Sequence, residues 1–250
     1  MPSDIAVTLL LAIAGFVAGA LNAVAGGGPL ITLPVLIFVG LDARLANLTS
    51  TVALIPGQIT TGYLARASLV PTGGVPVSVL LSITVAGGVA GALLLLTTPS
   101  ALFAGLVPYL VMVATALYAW SHFGSPHVNA QARIGRAGFI ALYAVISVYG
   151  GYFGGGNSFI MLAVLAFAGL AARAAGMLKN LLIALINVSA ASVFILSASV
   201  DYSKAAPLGI GALAGSIAGV SLLHRVSERT LQIFVVLIGS TLTIWLFSAA

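Results

Sequence analysis

The sequence predicts an all-α, polytopic membrane protein made of two inverted repeats, each with about five hydrophobic segments. Composition gives the first indication: nine Lys or Arg and four Asp or Glu make only 5% of the 250 residues charged, whereas about 25% is usual in a soluble domain. Hydrophobic residues make up 61%, and the mean hydropathy is +1.22. These values exclude a water-soluble globular protein and a disordered chain.

The hydrophobic segments follow one another with short interruptions, and about 20 apolar residues suffice for one bilayer crossing. In the first half we predict helices over residues 4–24, 30–39, 45–65, 75–96 and 101–121. The run Ile5–Ala25 resembles a signal peptide, but its start carries Asp4 and no Lys or Arg, so we favour a retained helix. In the second half we predict helices over residues 137–153, 158–168, 173–199, 205–223 and 229–248.

Landmarks recur at an offset of 128 or 129 residues, which indicates an internal duplication. The matched pairs are Gly28 with Gly156, Gly87 with Gly215, Gly91 with Gly219, and the run Gly40–Arg44 with Gly169–Arg173. The chain therefore divides into a first transmembrane repeat (1–121), a central cytoplasmic loop (122–136) and a second transmembrane repeat (137–250). Short or re-entrant helices are expected after the glycine-rich breaks.

The orientation of the repeats is expected to be inverted, because an odd number of segments makes the second half enter from the opposite side. The cations agree, since Lys and Arg concentrate in cytoplasmic loops. With a cytoplasmic central loop, only Arg44 and Lys204 fall outside, together with both termini. The cations on the inside are Arg66, Arg133, Arg136, Arg173, Lys179, Arg225 and Arg229.

Two glycine-rich breaks give the strongest functional signal. Gly26-Gly27-Gly28-Pro29 and Gly154-Gly155-Gly156-Asn157 each precede a short apolar segment, and irregular backbone at membrane depth is tolerated only beside protein or a water-filled cavity. A helix that starts there presents free N–H groups and its positive dipole end to an anion. We expect Pro29 to open the first short helix and Asn157 to cap the second. The remaining glycine pairs are expected only to permit close helix packing: Gly15 with Gly19, Gly87 with Gly91, and Gly211, Gly215 and Gly219.

The predicted substrate-binding residues combine both breaks with polar residues of neighbouring helices. They are Asn22, Gly26, Gly27, Gly28, Ser50, Thr51, Gln58, Gly154, Gly155, Gly156, Asn157, Lys179 and Asn180. Lys179 is a candidate substrate cation, although it could equally snorkel to the cytoplasmic interface. Gln58 and Asn187 could instead form interhelical hydrogen bonds. Arg44 and Arg173, at repeat-equivalent entrances, could capture anions or fix the topology, and we favour topology.

Several chemistries lack the residues they need. No Asp or Glu lies in a predicted span interior, so a carboxylate proton relay is disfavoured, and a coupling ion would bind carbonyls and hydroxyls, as Na⁺ can, unless coupling is absent. No Walker motif, catalytic triad or paired-carboxylate set occurs, so we expect neither an ATP-driven pump nor an enzyme. Cysteine is absent, which excludes disulfides and thiolate metal sites. No cofactor and no bound metal are expected, and the scattered cations do not indicate nucleic acid.

The first break and its surroundings resemble a known family. The run Gly19–Ile37, which contains the break, together with Gly40–Asn47 and Thr49-Ser50, looks like the TauE/SafE sulfite exporter family, as does its weaker repeat over Gly154–Gly156 and Gly169–Lys179. The resemblance covers nearly the whole chain and implies a bacterial inner-membrane permease that exports sulfite, sulfoacetate or a related organosulfonate. In the second half, Lys179-Asn180 replaces Ser50-Thr51, so the halves would contact different parts of one anion.

We therefore predict a multi-pass secondary transporter of the cell inner membrane that exports a small sulfur-containing oxyanion, with alternating access by one repeat rocking against the other. The expected partners are the anionic substrate, the lipid bilayer and a coupling ion (Na⁺ or H⁺), and a homodimer is left open. The alternatives are an anion channel on the same scaffold and a membrane partner subunit without transport activity.

Overall fold

A computed structural model describes residues 4–24, 26–123, 135–197, 199–222 and 228–249. Within these ranges the chain is helical, apart from an isolated bridge between Thr72 and Val75 and short connections, so the predicted all-α fold class is confirmed. The α-helices are α1 (Asp4–Val24), α2 (Pro29–Phe38), α3 (Ala43–Leu64), α4 (Val77–Thr97), α5 (Ser100–Phe123), α6 (Arg136–Tyr152), α7 (Asn157–Phe167), α8 (Ala172–Leu196), α9 (Tyr202–Leu222) and α10 (Glu228–Ala249). A 3-10 turn, Arg66–Ser68, follows α3.

Each predicted hydrophobic segment corresponds to one of these helices, with bounds that agree within a few residues. The predicted central loop, 122–136, lies mostly outside the described residues, because α5 reaches Phe123 and the description resumes at Gly135. Three described helices are long and apolar enough to cross a membrane by length and composition, and they cover Asp4–Ala23, Val77–Thr97 and Arg173–Leu196.

The acidic residues lie outside the span interiors, as predicted, and the structure places each of them at the start of a helix. Asp4 and Glu228 are the first residues of α1 and α10, and Asp201 directly precedes α9. Asp42 caps α3, since its carboxylate accepts hydrogen bonds from the backbone N–H groups of Arg44 and Leu45, both at 3.1 Å. A negative charge is favourable at each of these positions because the N-terminal end of a helix is positive.

Glycine brings α1 against α9 and α4 against α6, in each case with the two helices parallel. A Cβ on Gly15 would stand against the Leu208 carbonyl, and one on Gly215 would stand 2.7 Å from the carbonyl carbon of Phe16. A Cβ on Gly91 would lie 2.6 Å from the backbone nitrogen of Tyr152. The predicted close packing at these glycine pairs is therefore confirmed, and it joins the first helix of each half to the fourth helix of the other half.

The helix α3 packs against α8, its counterpart in the other half, and the two run antiparallel. Gln58 meets Asn187, whereas Gly62, one turn later on α3, meets Ala184, almost one turn earlier on α8. The pair α5 and α10 is also antiparallel, because Thr115 meets Gly239 and Tyr109 meets Phe247. These directions are those that the predicted inverted repeat requires. The orientation of the halves in a bilayer stays a prediction.

Three described arginines lie at opposite ends of the bundle. At one end, the Arg44 guanidinium donates to the carbonyls of Leu96 (3.2 Å) and Thr98 (3.0 Å), which closes the C-terminal end of α4. At the other end, the turn that contains Arg66 packs on α8, and Arg136 approaches Gly74 in the α3–α4 connection. Arg44 therefore has a structural role, which agrees with our preference for topology over anion capture.

Candidate anion site at the glycine breaks

The first break is a buried turn in which the N–H groups of Gly26 and Gly28 have acceptors and that of Gly27 has none among the described residues. Gly26 and Gly27 have φ angles of +85° and +99°, a region that side chains other than glycine rarely adopt. The Gly26 N–H donates to the Leu21 carbonyl at 3.0 Å. The Gly28 N–H donates to Asn22 Oδ1 at 2.8 Å. Asn22 therefore caps the start of α2, and Pro29 opens this helix as predicted.

The second break differs in backbone conformation, because its positive φ angles fall at the first and third glycines rather than at the first and second, and more of its N–H groups lack an acceptor. Gly154 and Gly156 have φ angles of +75° and +73°, and Tyr149 donates its hydroxyl to the Gly155 carbonyl at 2.6 Å. The prediction that Asn157 caps α7 is wrong: Gly156 occupies the cap position and makes no side-chain bond, while Asn157 is the first helical residue. In the described part of the chain, the N–H groups of Gly155, Gly156 and Ser158 donate to no acceptor.

The two breaks meet inside the molecule. A Cβ on Gly26 would stand against the Ser158 hydroxyl at the start of α7, so the first break touches the first turn of the second short helix. Ser158 is 8% exposed. The sequence reasoning missed this residue, although it directly follows the Gly-Gly-Gly-Asn motif.

The helices α3 and α8 supply the neighbouring polar side chains. Ser50 is buried and its hydroxyl bonds to Thr32 on α2, and Thr32 also donates to the Gly28 carbonyl at 3.2 Å. Position 50 of α3 thus reaches the first turn of α2. Thr51 donates to the carbonyl of Asn47 in its own helix at 2.9 Å, so the structure shows no role for its hydroxyl at a break.

Gln58 and Asn187, for which two interpretations were open, hydrogen-bond to each other. The Asn187 Nδ2 group donates to Gln58 Oε1 at 2.8 Å, across the contact between the halves. Asn187 Oδ1 lies 3.8 Å from the position of a Cβ on Gly154, so this amide pair also borders the second break.

Lys179 is buried, with 5% of its surface exposed. It stands on α8 at the position that Ser50 occupies on α3, eight residues from the cap of each helix. No described residue offers its ammonium a hydrogen-bond acceptor or a carboxylate within ion-pair distance. The long side chain therefore does not snorkel to the outer surface. Asn180 follows it, half-buried, and no described contact joins the Asn180 side chain to a break.

Comparison with known proteins supports the resemblance noted in the sequence. The family model described as sulfite exporter TauE/SafE matches residues 11–246. The chain belongs to the TauE/SafE family. A probable membrane transporter protein of Sinorhizobium is 28% identical and covers 98% of this chain and 95% of its own. A protein of Haemophilus influenzae with the same description is 28% identical over 88% of this chain and 85% of its own. One of Escherichia coli is 25% identical over 94% of this chain and 88% of its own. No solved structure matches. This TauE/SafE chain is therefore a membrane protein of a transporter family.

Proposed function

We propose that this protein is a multi-pass secondary transporter of the cytoplasmic (inner) membrane that exports a small sulfur-containing oxyanion such as sulfite or sulfoacetate. Membership of the TauE/SafE family supports transport and the sulfite class. The observation that carries the anion assignment is the buried Lys179 ammonium, which has no counter-charge among the described residues.

A cation without a partner is costly inside a membrane protein, so such residues pair or mark a substrate pathway. The helices that pack on α8 carry no Asp or Glu within their spans: α3, α4, α6 and α7. A bound anion would supply the missing charge. Ser50 on α3 contacts the first turn of α2, and Lys179 occupies the equivalent position on α8. We therefore place the anion between Lys179 and the first turn of α7, the counterpart of α2.

The second break provides hydrogen-bond donors for such an anion. The free N–H groups of Gly155, Gly156 and Ser158 stand at the positive end of α7, an arrangement suited to oxyanions. In the first break, Asn22 already accepts the Gly28 N–H. We therefore propose that its glycines do not bind the anion directly and instead pack against Ser158 at the start of α7. The halves would then act differently on one substrate.

The test is efflux of sulfite or sulfoacetate from proteoliposomes. Wild-type protein should release the anion, and Lys179→Met should reduce the rate at least tenfold, because it removes the only cation placed at the site. Lys204→Met is the matched control, since the Lys204 ammonium is already paired with Asp201, directly before α9, and no contact among the described residues joins it to a break. Normal efflux by Lys179→Met would overturn the anion site. Anion currents far above carrier turnover would point to a channel, and inert liposomes would contradict transport.

A further inference from the structure

Asn157 is the least satisfied polar side chain in the described part of the molecule. It is 1% exposed, and neither Oδ1 nor Nδ2 has a hydrogen-bond partner. A buried amide with both ends unpaired is strongly unfavourable unless something binds it. Its repeat counterpart is Pro29, which has no polar side chain. The amide near the first break belongs to Asn22, whose Oδ1 accepts a hydrogen bond from the Gly28 N–H. Only the second break thus holds an unpaired amide.

Two neutral oxygen atoms lie near Gly154, in the same glycine break. The Asn157 amide packs against Gly150: its Nδ2 is the atom nearest to the position of a Cβ there, and its Cγ lies 3.1 Å from that position. A half-turn of the amide exchanges Nδ2 with Oδ1 and presents the oxygen to Gly150, since the two ends have nearly the same shape. A Cβ on Gly154 would lie 3.3 Å from the Gly150 carbonyl oxygen and 3.8 Å from Asn187 Oδ1. No described N–H donates to that carbonyl, because the Phe153 and Gly154 N–H groups both turn back to Tyr149.

The chemistry of these groups favours a monovalent cation. The Gly150 carbonyl lies at the C-terminal end of α6, which carries the negative end of the helix dipole, whereas Asn157 begins α7 and Asn187 lies within α8. Interrupted helices in inverted-repeat transporters bind Na⁺ through such carbonyls and helix ends. The helices that meet here, α3, α6, α7 and α8, contain no Asp or Glu, so the donor set is neutral and lacks the carboxylates that divalent cations prefer.

We propose that the second glycine break binds Na⁺ through Asn157 Oδ1, Asn187 Oδ1 and the Gly150 carbonyl oxygen, and that this ion strengthens anion binding. The effect on anion binding rests on the proposed function. Asn157 is the first residue of α7, so its side chain could contact both the cation and an anion at the start of this helix. Its oxygen binds Na⁺ while its Nδ2 group is free to donate to the anion. Coupling between two ligands is reciprocal, so the anion strengthens Na⁺ binding by the same factor.

The first experiment measures Na⁺ binding without any anionic substrate. Purified protein in choline chloride should bind ²²Na⁺ saturably, and excess unlabelled Na⁺ should displace it. Asn157→Ala should abolish binding. Asn157→Asp, which keeps the shape and the oxygen ligands, should retain or strengthen it. Asn22→Ala, the matched change at the first break, should leave it intact. Absence of saturable ²²Na⁺ binding by wild-type protein, or full binding by Asn157→Ala, would overturn the Na⁺ site. The Asn157 amide would then be hydrogen-bonded by water only.

The second experiment measures the coupling to the anion. Sulfite or sulfoacetate should bind wild-type protein at least about fivefold more tightly in Na⁺ than in choline, a modest coupling for two linked sites. Asn157→Asp should bind Na⁺ yet lose the anion, since it offers no N–H donor. Equal anion affinity in Na⁺ and choline would refute the coupling. A Lys179→Met variant that still binds ²²Na⁺ but no anion separates this site from the anion site, so the two proposals can fail independently.

Discussion

Replacement of Gly215 by Ala tests whether the backbone contact between α1 and α9 limits stability. The added Cβ would lie 2.7 Å from the carbonyl carbon and 2.8 Å from the Cα of Phe16, whereas ordinary contact begins at 3.4 Å. The Phe16 carbonyl oxygen lies closer still, so the backbones must separate by roughly 0.7 Å or more, and overpacking of this kind costs about 1–3 kcal/mol. Alanine also favours the helix by about 0.8–1 kcal/mol over glycine.

Gly105→Ala isolates the second effect, because Gly105 lies inside α5 and a Cβ there would meet nothing within 4 Å. We expect Gly105→Ala to be stabilising and Gly215→Ala to be less stable than it by about 1–3 kcal/mol, the cost of the overlap. Unfolding by SDS in mixed micelles, followed by circular dichroism, measures both variants against wild type. If the two variants shift stability equally, the close contact between α1 and α9 is wrong.

Three further changes follow from individual hydrogen bonds and are measured by the same unfolding assay. Asn22→Ala should lower stability by about 1 kcal/mol, because the start of α2 loses its cap; an unchanged midpoint would contradict that role. Gln58→Leu should cost about 1–3 kcal/mol, since the buried Asn187 Nδ2 group loses its acceptor, and adding Asn187→Leu should recover part of the loss; strictly additive losses would argue against the pair. Burial raises the pKa of the Asp201 carboxyl, but hydrogen bonds, led by that from Lys204, outweigh it and leave the pKa below its usual value. The advantage of wild type over Asp201→Asn, about 1 kcal/mol or less for a partly exposed ion pair, should thus be full at pH 6 and shrink below about pH 4; a constant difference would refute this.

Local pattern was sufficient to predict the helices and their breaks. Apolar runs bounded by glycine, Asp or Pro determine each segment, and Gly26 and Gly154 stand where the backbone needs a positive φ. The glycine pairs were interpretable for the same reason, since spacing by four places small residues on one helix face. These features depend on residues close in sequence.

The polar contacts at the site depended on packing between distant segments and could not be predicted. Ser158 contacts Gly26, and Ser50 hydrogen-bonds to Thr32, only because the short helices pack against each other and against α3. One error was avoidable. At the repeat offset, Asn22 aligns with a glycine and Asn157 with a proline, so the two halves place their amide on opposite sides of the break.

The crossed packing of α1 on α9 and of α4 on α6 determines which parts of the molecule can move as rigid bodies. Sliding residues 1–121 against residues 137–250 would drag glycine-lined backbones across each other in both contacts. Both glycine contacts stay intact if α9 moves as one body with α1, α2 and α3, and α4 moves as one body with α6, α7 and α8. The covalent links between these composite bodies are the α3–α4 and α8–α9 connections. Hinges for alternating access are therefore expected in residues 65–76 and at the junction of α8 and α9, and the moving bodies would differ from the two repeats that the sequence predicts to rock against each other.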